Sequence, residues 1–192
     1  MGLSKIPRRA IVGATIVAFT GAAHAARGQQ HGHPEATVPH TLFAIPEPIQ
    51  AEHREIHAEL VAATKVPGAV GEAAQALAKV LDPHFQREEQ IALPPLALLG
   101  PLARGDISPE MRGILPMTDS LRAELPRMLE EHKVIHAATA HLEQVARRHG
   151  NEAVAHLAEK LTLHARGEEE VYYPAAILVG ELVRRRLGDP VH

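Results

Sequence analysis

The feature that most constrains this chain is an internal repeat of metal-ligand-type side chains. His84-Phe-Gln-Arg-Glu88-Glu89, which leads to Pro94 and Gly100, returns 80 positions later as His164-Ala-Arg-Gly-Glu168-Glu169, leading to Pro174 and Gly180. Upstream of each copy lies a second echo. Glu52-His53-Arg-Glu-Ile56-His57-Ala58 returns after 79 positions as Glu131-His132-Lys-Val-Ile135-His136-Ala137. Each half therefore reads HxxxH and then HxxxE. Side chains at i and i+4 share one helix face, with Cβ atoms about 6 Å apart. The repeat thus predicts four helices, each presenting a pair of chelating groups.

The apolar pattern agrees. Ile49, His53, Ile56, Leu60 and Ala63 form one stripe of a helix expected over 47–65. A second helix is expected over 70–99, with the stripe Leu77, Leu81, His84, Glu88, Ile91, Pro95 and Leu98, and with kinks at Pro83 and Pro94-Pro95. A connection over 100–118 contains Ser108-Pro109-Glu110, a start for a short helical turn. The third helix is expected over 119–149 and the fourth from Asn151 to 187, after Gly150. In the fourth, the predicted stripe is Val154, Leu157, Leu161, His164, Glu168, Val171/Tyr172, Ala175, Leu178 and Leu182. With 45% hydrophobic residues, 3% aromatics and no Trp, the core must be aliphatic. The fold class that follows is all-α, an up-down-up-down four-helix bundle over 47–187.

In every helix the polar pair interrupts the apolar stripe. Burying imidazoles and carboxylates without partners costs several kcal/mol, so a bound ion is expected among them. The chain has no cysteine, so any metal is held by imidazole and carboxylate. That donor set suits Fe, Mn, Zn, Ni or Cu by softness. The expected ligands are His53, His84, Glu88, His132, His136, His164 and Glu168, with Glu88 and Glu168 as bridges between two ions. His57, Glu169 and Tyr172 are expected around them, as further ligands or as partners of the ligands. His141, His149 and His156 fall outside this register and read as solvated.

The N-terminus reads as an export leader. Lys5, Arg8 and Arg9 precede an apolar run over 10–23, and Ala23-His24-Ala25 resembles a cleavage site. Arg8-Arg9 is compatible with a twin-arginine route. Cleavage after Ala25 would take the formal charge from −3 to −6, because the leader holds three basic and no acidic residues. An uncleaved anchor is the alternative, although the run is short for a membrane span. A tether rich in Gly and Pro is expected over 26–46, with His31, His33 and His40 solvated in it. Localisation would be periplasmic or secreted. The acidic balance excludes a basic nucleic-acid-binding patch.

At these motifs the chain resembles the hemerythrin-like, or HHE cation-binding, family, over roughly 47–187. The resemblance implies a four-helix bundle around two non-haem iron ions, for reversible O2 binding or for oxygen, redox or iron sensing; Mn or Zn remain possible occupants. By position it makes His53 the first-helix ligand, His84 and Glu88 the second, His132 and His136 the third, and His164 the fourth. The last carboxylate is Glu168 by internal symmetry, or Glu169 by the family's five-residue spacing. His57 departs from the family pattern.

Three functions compete on such a site: binding of O2 or NO, a redox enzyme (oxidase, peroxidase or NO reductase), and handling of a metal as cargo. Ligand charge favours binding. Oxidase-type ferritin-like bundles use ExxH motifs and four carboxylates, and no ExxH occurs here. Five imidazoles with two carboxylates leave a ferrous pair more positive, which favours release of O2 intact.

Overall fold

The computed structural model describes residues 42–188. The expected leader over 1–25 and residues 26–41 of the tether expected over 26–46 lie outside the described residues. Within them all regular structure is helical, with no strand. No described helix is long and apolar enough to cross a membrane.

Helix α1 spans Glu47–Ala63, with Pro48 in its first turn, and α2 spans Ala69–Ile91. Gly68 joins them at φ 77, a left-handed conformation that suits glycine. The second helix passes through Pro83 without interruption but is shorter than expected. Pro94 and Pro95 have no N–H to continue the ladder, and the chain tightens into a 3-10 turn over Pro94–Leu98. Short α3, Leu99–Ala103, follows. The connection then forms a second 3-10 turn, Pro109–Ile114, preceded by Ser108. Helix α4, Leu115–Arg148, starts four residues before the expected Asp119 and carries Pro126 inside it. Gly150 takes φ 67, and Asn151 accepts a hydrogen bond from the Val154 N–H at 3.2 Å, opening α5, Glu152–Gly167.

The fourth helix departs from its predicted stripe. After α5 the backbone widens into a π turn over Glu168–Tyr172, in which the Tyr173 N–H donates to the Glu168 carbonyl, and then resumes as α6, Tyr173–Leu187. An i→i+5 bond inserts one residue into the turn. Every later inward position is therefore one residue further along: Tyr173, Ala176, Val179 and Val183 are buried, while Val171, Leu178 and Leu182 are exposed. The expected inward Tyr172 is only partly buried. Gly180 permits the close approach of α6 to α4, since a Cβ there would stand 2.2 Å from Thr118 Oγ1.

The core has one cluster on each side of the polar centre. On one side, the C-terminal part of α1 (Ile56, Leu60) meets the N-terminal part of α2 (Val70, Leu77), the C-terminal part of α4 (Leu142, Val145) and the start of α5 (Val154, Leu157). Sequential helices thus run antiparallel. On the other, Ile49, Ile91, Leu93, Leu121, Met128 and Tyr173 pack together. Leu42 and Phe43, at the end of the expected tether, pack against a third group that includes Leu98, Ile114 and Val183.

Candidate metal centre

Between these apolar layers the bundle buries four histidines and two glutamates. His53, His84, His132 and His164 are at most 4% exposed, Glu88 is 0% and Glu168 is 1%. Helices α1, α2, α4 and α5 each supply one histidine, α2 supplies Glu88, and the π turn supplies Glu168. The i, i+4 spacing works as expected within each HxxxE pair: His84 Nε2 is 3.2 Å from Glu88 Oε1, and His164 Nε2 is 2.8 Å from Glu168 Oε1.

The six side chains make two ligand groups. One is His84, Glu88, His132 and Glu168; the other is His53, His164 and Glu168. Glu168 belongs to both. Its Oε1 lies 3.3 Å from His53 Nε2, and its Oε2 lies 3.6 Å from His132 Nε2. Glu88 stands in one group by its Oε1, while its Oε2 is buried without a hydrogen-bond partner. His164 Nε2 is likewise buried without an aligned partner. Orphaned donor atoms at the centre of a converging imidazole and carboxylate set fit a metal site, because leaving them bare is costly. Such donors fit iron among the borderline metals.

All four imidazoles turn Nε2 inward and Nδ1 outward, and every Nδ1 faces a glutamate of a neighbouring helical segment. His53 faces Glu89 at 3.5 Å, His84 faces Glu131 at 2.9 Å, His132 faces Glu169 at 2.7 Å and His164 faces Glu52 at 3.4 Å. The acids form a closed ring: α2 serves α1, α4 serves α2, the π turn serves α4, and α1 serves α5. Glu131 and Glu169 hydrogen-bond to their histidines and fix those rings with Nε2 turned inward, whereas Glu89 and Glu52 stand at ion-pair distance and Nδ1 of His53 and of His164 makes no hydrogen bond. The repeat explains the ring, since each acid flanks a ligand of its own segment: Glu52 and Glu131 precede a histidine, and Glu89 and Glu169 follow a glutamate.

Charge in the cluster follows from this packing. Burial would lower His84 and His164, but the neighbouring carboxylates, Glu88 and Glu168 foremost, raise both to about 9. Burial also opposes charge on Glu88, yet hydrogen bonds with His132, His84 and Tyr173 hold it well below the usual carboxylate range.

Of the remaining expected residues, His136 and Glu169 lie at the rim. His136 Nε2 is 3.3 Å from Glu169 Oε1, both side chains are about one-third exposed, and neither joins the two ligand groups. His57 is exposed and 4.0 Å from Asp82. It lines, with His53, Asp82 and Glu89, a surface cavity of about 360 Å³. A second cavity of about 570 Å³ reaches His84 and Glu131 from the α2–α4 side.

The residue that the periodic reading missed is Tyr173. It is fully buried, and its hydroxyl donates to Glu88 Oε1 and lies 3.1 Å from His132 Nε2 and 3.4 Å from His84 Nε2. Burial and the adjacent Glu88 push the phenol well above its usual range in the metal-free protein. The π turn put Tyr173 where a regular helix would put Tyr172. A second apolar stripe at 173, 176, 179 and 183 was the available signal.

Comparison with known proteins agrees with the geometry. The model of the hemerythrin HHE cation binding domain matches residues 44–176, a span that holds every side chain of both ligand groups. No curated protein and no solved structure matches the chain. The chain therefore belongs to the hemerythrin HHE cation-binding family.

Proposed function

We propose that this protein binds O2, or a related small ligand such as NO, at a non-haem di-iron centre, and acts as a carrier or sensor in the periplasm or outside the cell. The observation that carries the reading is the pair of buried ligand groups joined through the two oxygens of Glu168. When bound, iron would supply the electrons for reversible binding of a diatomic ligand, and His53, His84, Glu88, His132, His164 and Glu168 would hold it. The chain's own residues supply the rest. His84 and His132, hydrogen-bonded at Nδ1 to Glu131 and Glu169, hold their inward nitrogens in place. Ile135 and Leu161, both 2% exposed, keep the neighbourhood apolar. The cavity beside His53 offers a route for a small molecule. The leader-like N-terminus supports export.

A second reading, a redox enzyme, is favoured by the outer glutamates. An acid hydrogen-bonded to Nδ1 of His84 and of His132 raises the basicity of those imidazoles and so favours the oxidised metals. Stopped-flow mixing of the anaerobically reduced iron protein with O2, followed by removal of the gas, tests the two. Recovery of the reduced spectrum supports binding. Irreversible oxidation, with steady consumption of O2 or NO under reductant, supports the enzyme.

A further inference from the structure

One difference between the two halves of the bundle lies directly beside the ligands. The Tyr173 N–H donates to the Glu168 carbonyl, five residues back, and in the first half the Leu93 N–H donates to the Glu88 carbonyl at 3.0 Å, also five residues back. The two residues are 80 positions apart, the same shift that superposes the HxxxE motifs, and each is followed by a proline. Both are 0% exposed and belong to the same apolar cluster. Their backbones are equivalent and their chemistry is not. Tyr173 carries an oxygen donor, whereas Leu93 carries none.

The Tyr173 oxygen stands among ligand atoms rather than behind them. Its contacts at 3.1 Å and 3.4 Å are to Nε2 of His132 and His84, the inward atoms, and its third contact is Glu88 Oε1. Donor atoms bound to one ion at about 2.0–2.2 Å stand about 3 Å apart, which is near the spacing seen to the two imidazoles. A tyrosine that only supported a ligand would meet an outward atom, as Glu131 meets His84 Nδ1.

The geometry points to Tyr173 as a phenolate ligand that joins His84, His132, Glu88 and Glu168 on one metal, leaving the metal held by His53 and His164 as the one with an exchangeable position. On coordination the phenol releases its proton to solvent, and the freed lone pair is donated to the metal; no electron is transferred. A bound cation supplies the charge that makes this favourable inside the bundle. The assignment rests on the di-iron reading and deepens it, because it says which of two repeat-related ions takes the external ligand. A cavity lined by His53 opens on that side and one lined by His84 on the other, so the assignment stands on the donor count at each group.

Iron-loaded, oxidised protein is the test, read by visible absorption and resonance Raman spectroscopy with iron content measured in parallel. The wild type is expected to show a phenolate-to-iron charge-transfer band with enhanced tyrosinate ring modes. The chain contains only two tyrosines, so the source can be resolved: Tyr173→Phe should abolish the signature and Tyr172→Phe should keep it. Azide should add to the wild type with the signature intact. An iron-containing wild type without tyrosinate modes would overturn the assignment, as would a signature that survives in Tyr173→Phe or is displaced by azide. Wild type that takes up no iron would instead remove the di-iron reading on which it rests.

Discussion

Glu169 receives His132 Nδ1 at 2.7 Å while the adjacent Glu168 directs its Oε2 towards Nε2 of the same ring at 3.6 Å. Two consecutive glutamates of the π turn thus grip opposite edges of one imidazole. The arrangement favours Glu168 as the ligand, since it is in both candidate groups, with Glu169 as an outer partner at His132 Nδ1.

Glu169→Gln keeps an acceptor for His132 but removes the charge. Loss of such an outer partner typically costs 10–100-fold in metal affinity. Competition titration against a chelator should show a loss of about that size, with the fold intact by circular dichroism. An unchanged affinity would assign Glu169 to the surface alone.

Removal of an inward ligand should be more severe. His84→Ala and His164→Ala should each lose metal and lower Tm relative to the metal-loaded wild type, because metal binding contributes folding free energy. His57→Ala, and His136→Ala at the rim, should retain close to wild-type metal content. Metal analysis of the purified variants checks the set, and loss of metal in His136→Ala would move that residue into the ligand sphere.

Stability of the metal-free protein should depend on pH in a definite direction. His84 and His164 have folded-state values of about 9, above their ordinary 6.5. A raised histidine stabilises fully below its unfolded value and loses that contribution as pH rises through its folded value. Tm of the metal-free protein should therefore fall between about pH 6.5 and 9, whereas metal binding, which displaces those protons, should strengthen over the same range. Thermal melts with and without metal at several pH values read both trends.

Two glycine substitutions should have opposite signs. Gly180→Ala drives a methyl into Thr118 and should cost about 1–3 kcal/mol. At Gly167 nothing lies within 4 Å of the added Cβ, and Gly167→Ala should stabilise the helix by about 0.5–1 kcal/mol. Urea denaturation distinguishes them.

The parts of the fold legible in the sequence are those with a regular period. His53, His84, Glu88, His132, His164 and Glu168 lie on their predicted stripes, because i, i+4 spacing is a property of any α-helix. His136 shares that spacing with His132 but sits at the edge of the stripe, and its position was decided by helix rotation, which spacing does not encode. Tyr173 was illegible to a 3.6-residue period because the turn before it is wider. The outer glutamates were visible as repeated letters, yet their pairing with histidines of other helices needed the third dimension.

The closed ring of glutamates bears on how divisible this molecule is. A fragment containing α1 and α2 has within itself only one such pairing, Glu89 with His53. Its His84 looks to Glu131 in the other half, and its Glu52 is committed to His164 there. The Glu168 bridge also crosses the divide. Neither half can assemble a finished ion pocket alone, and each presents the surface that would complete a copy of itself. The chain is in this sense a covalent dimer of two helical hairpins, since each of the two candidate ligand groups draws side chains from both hairpins.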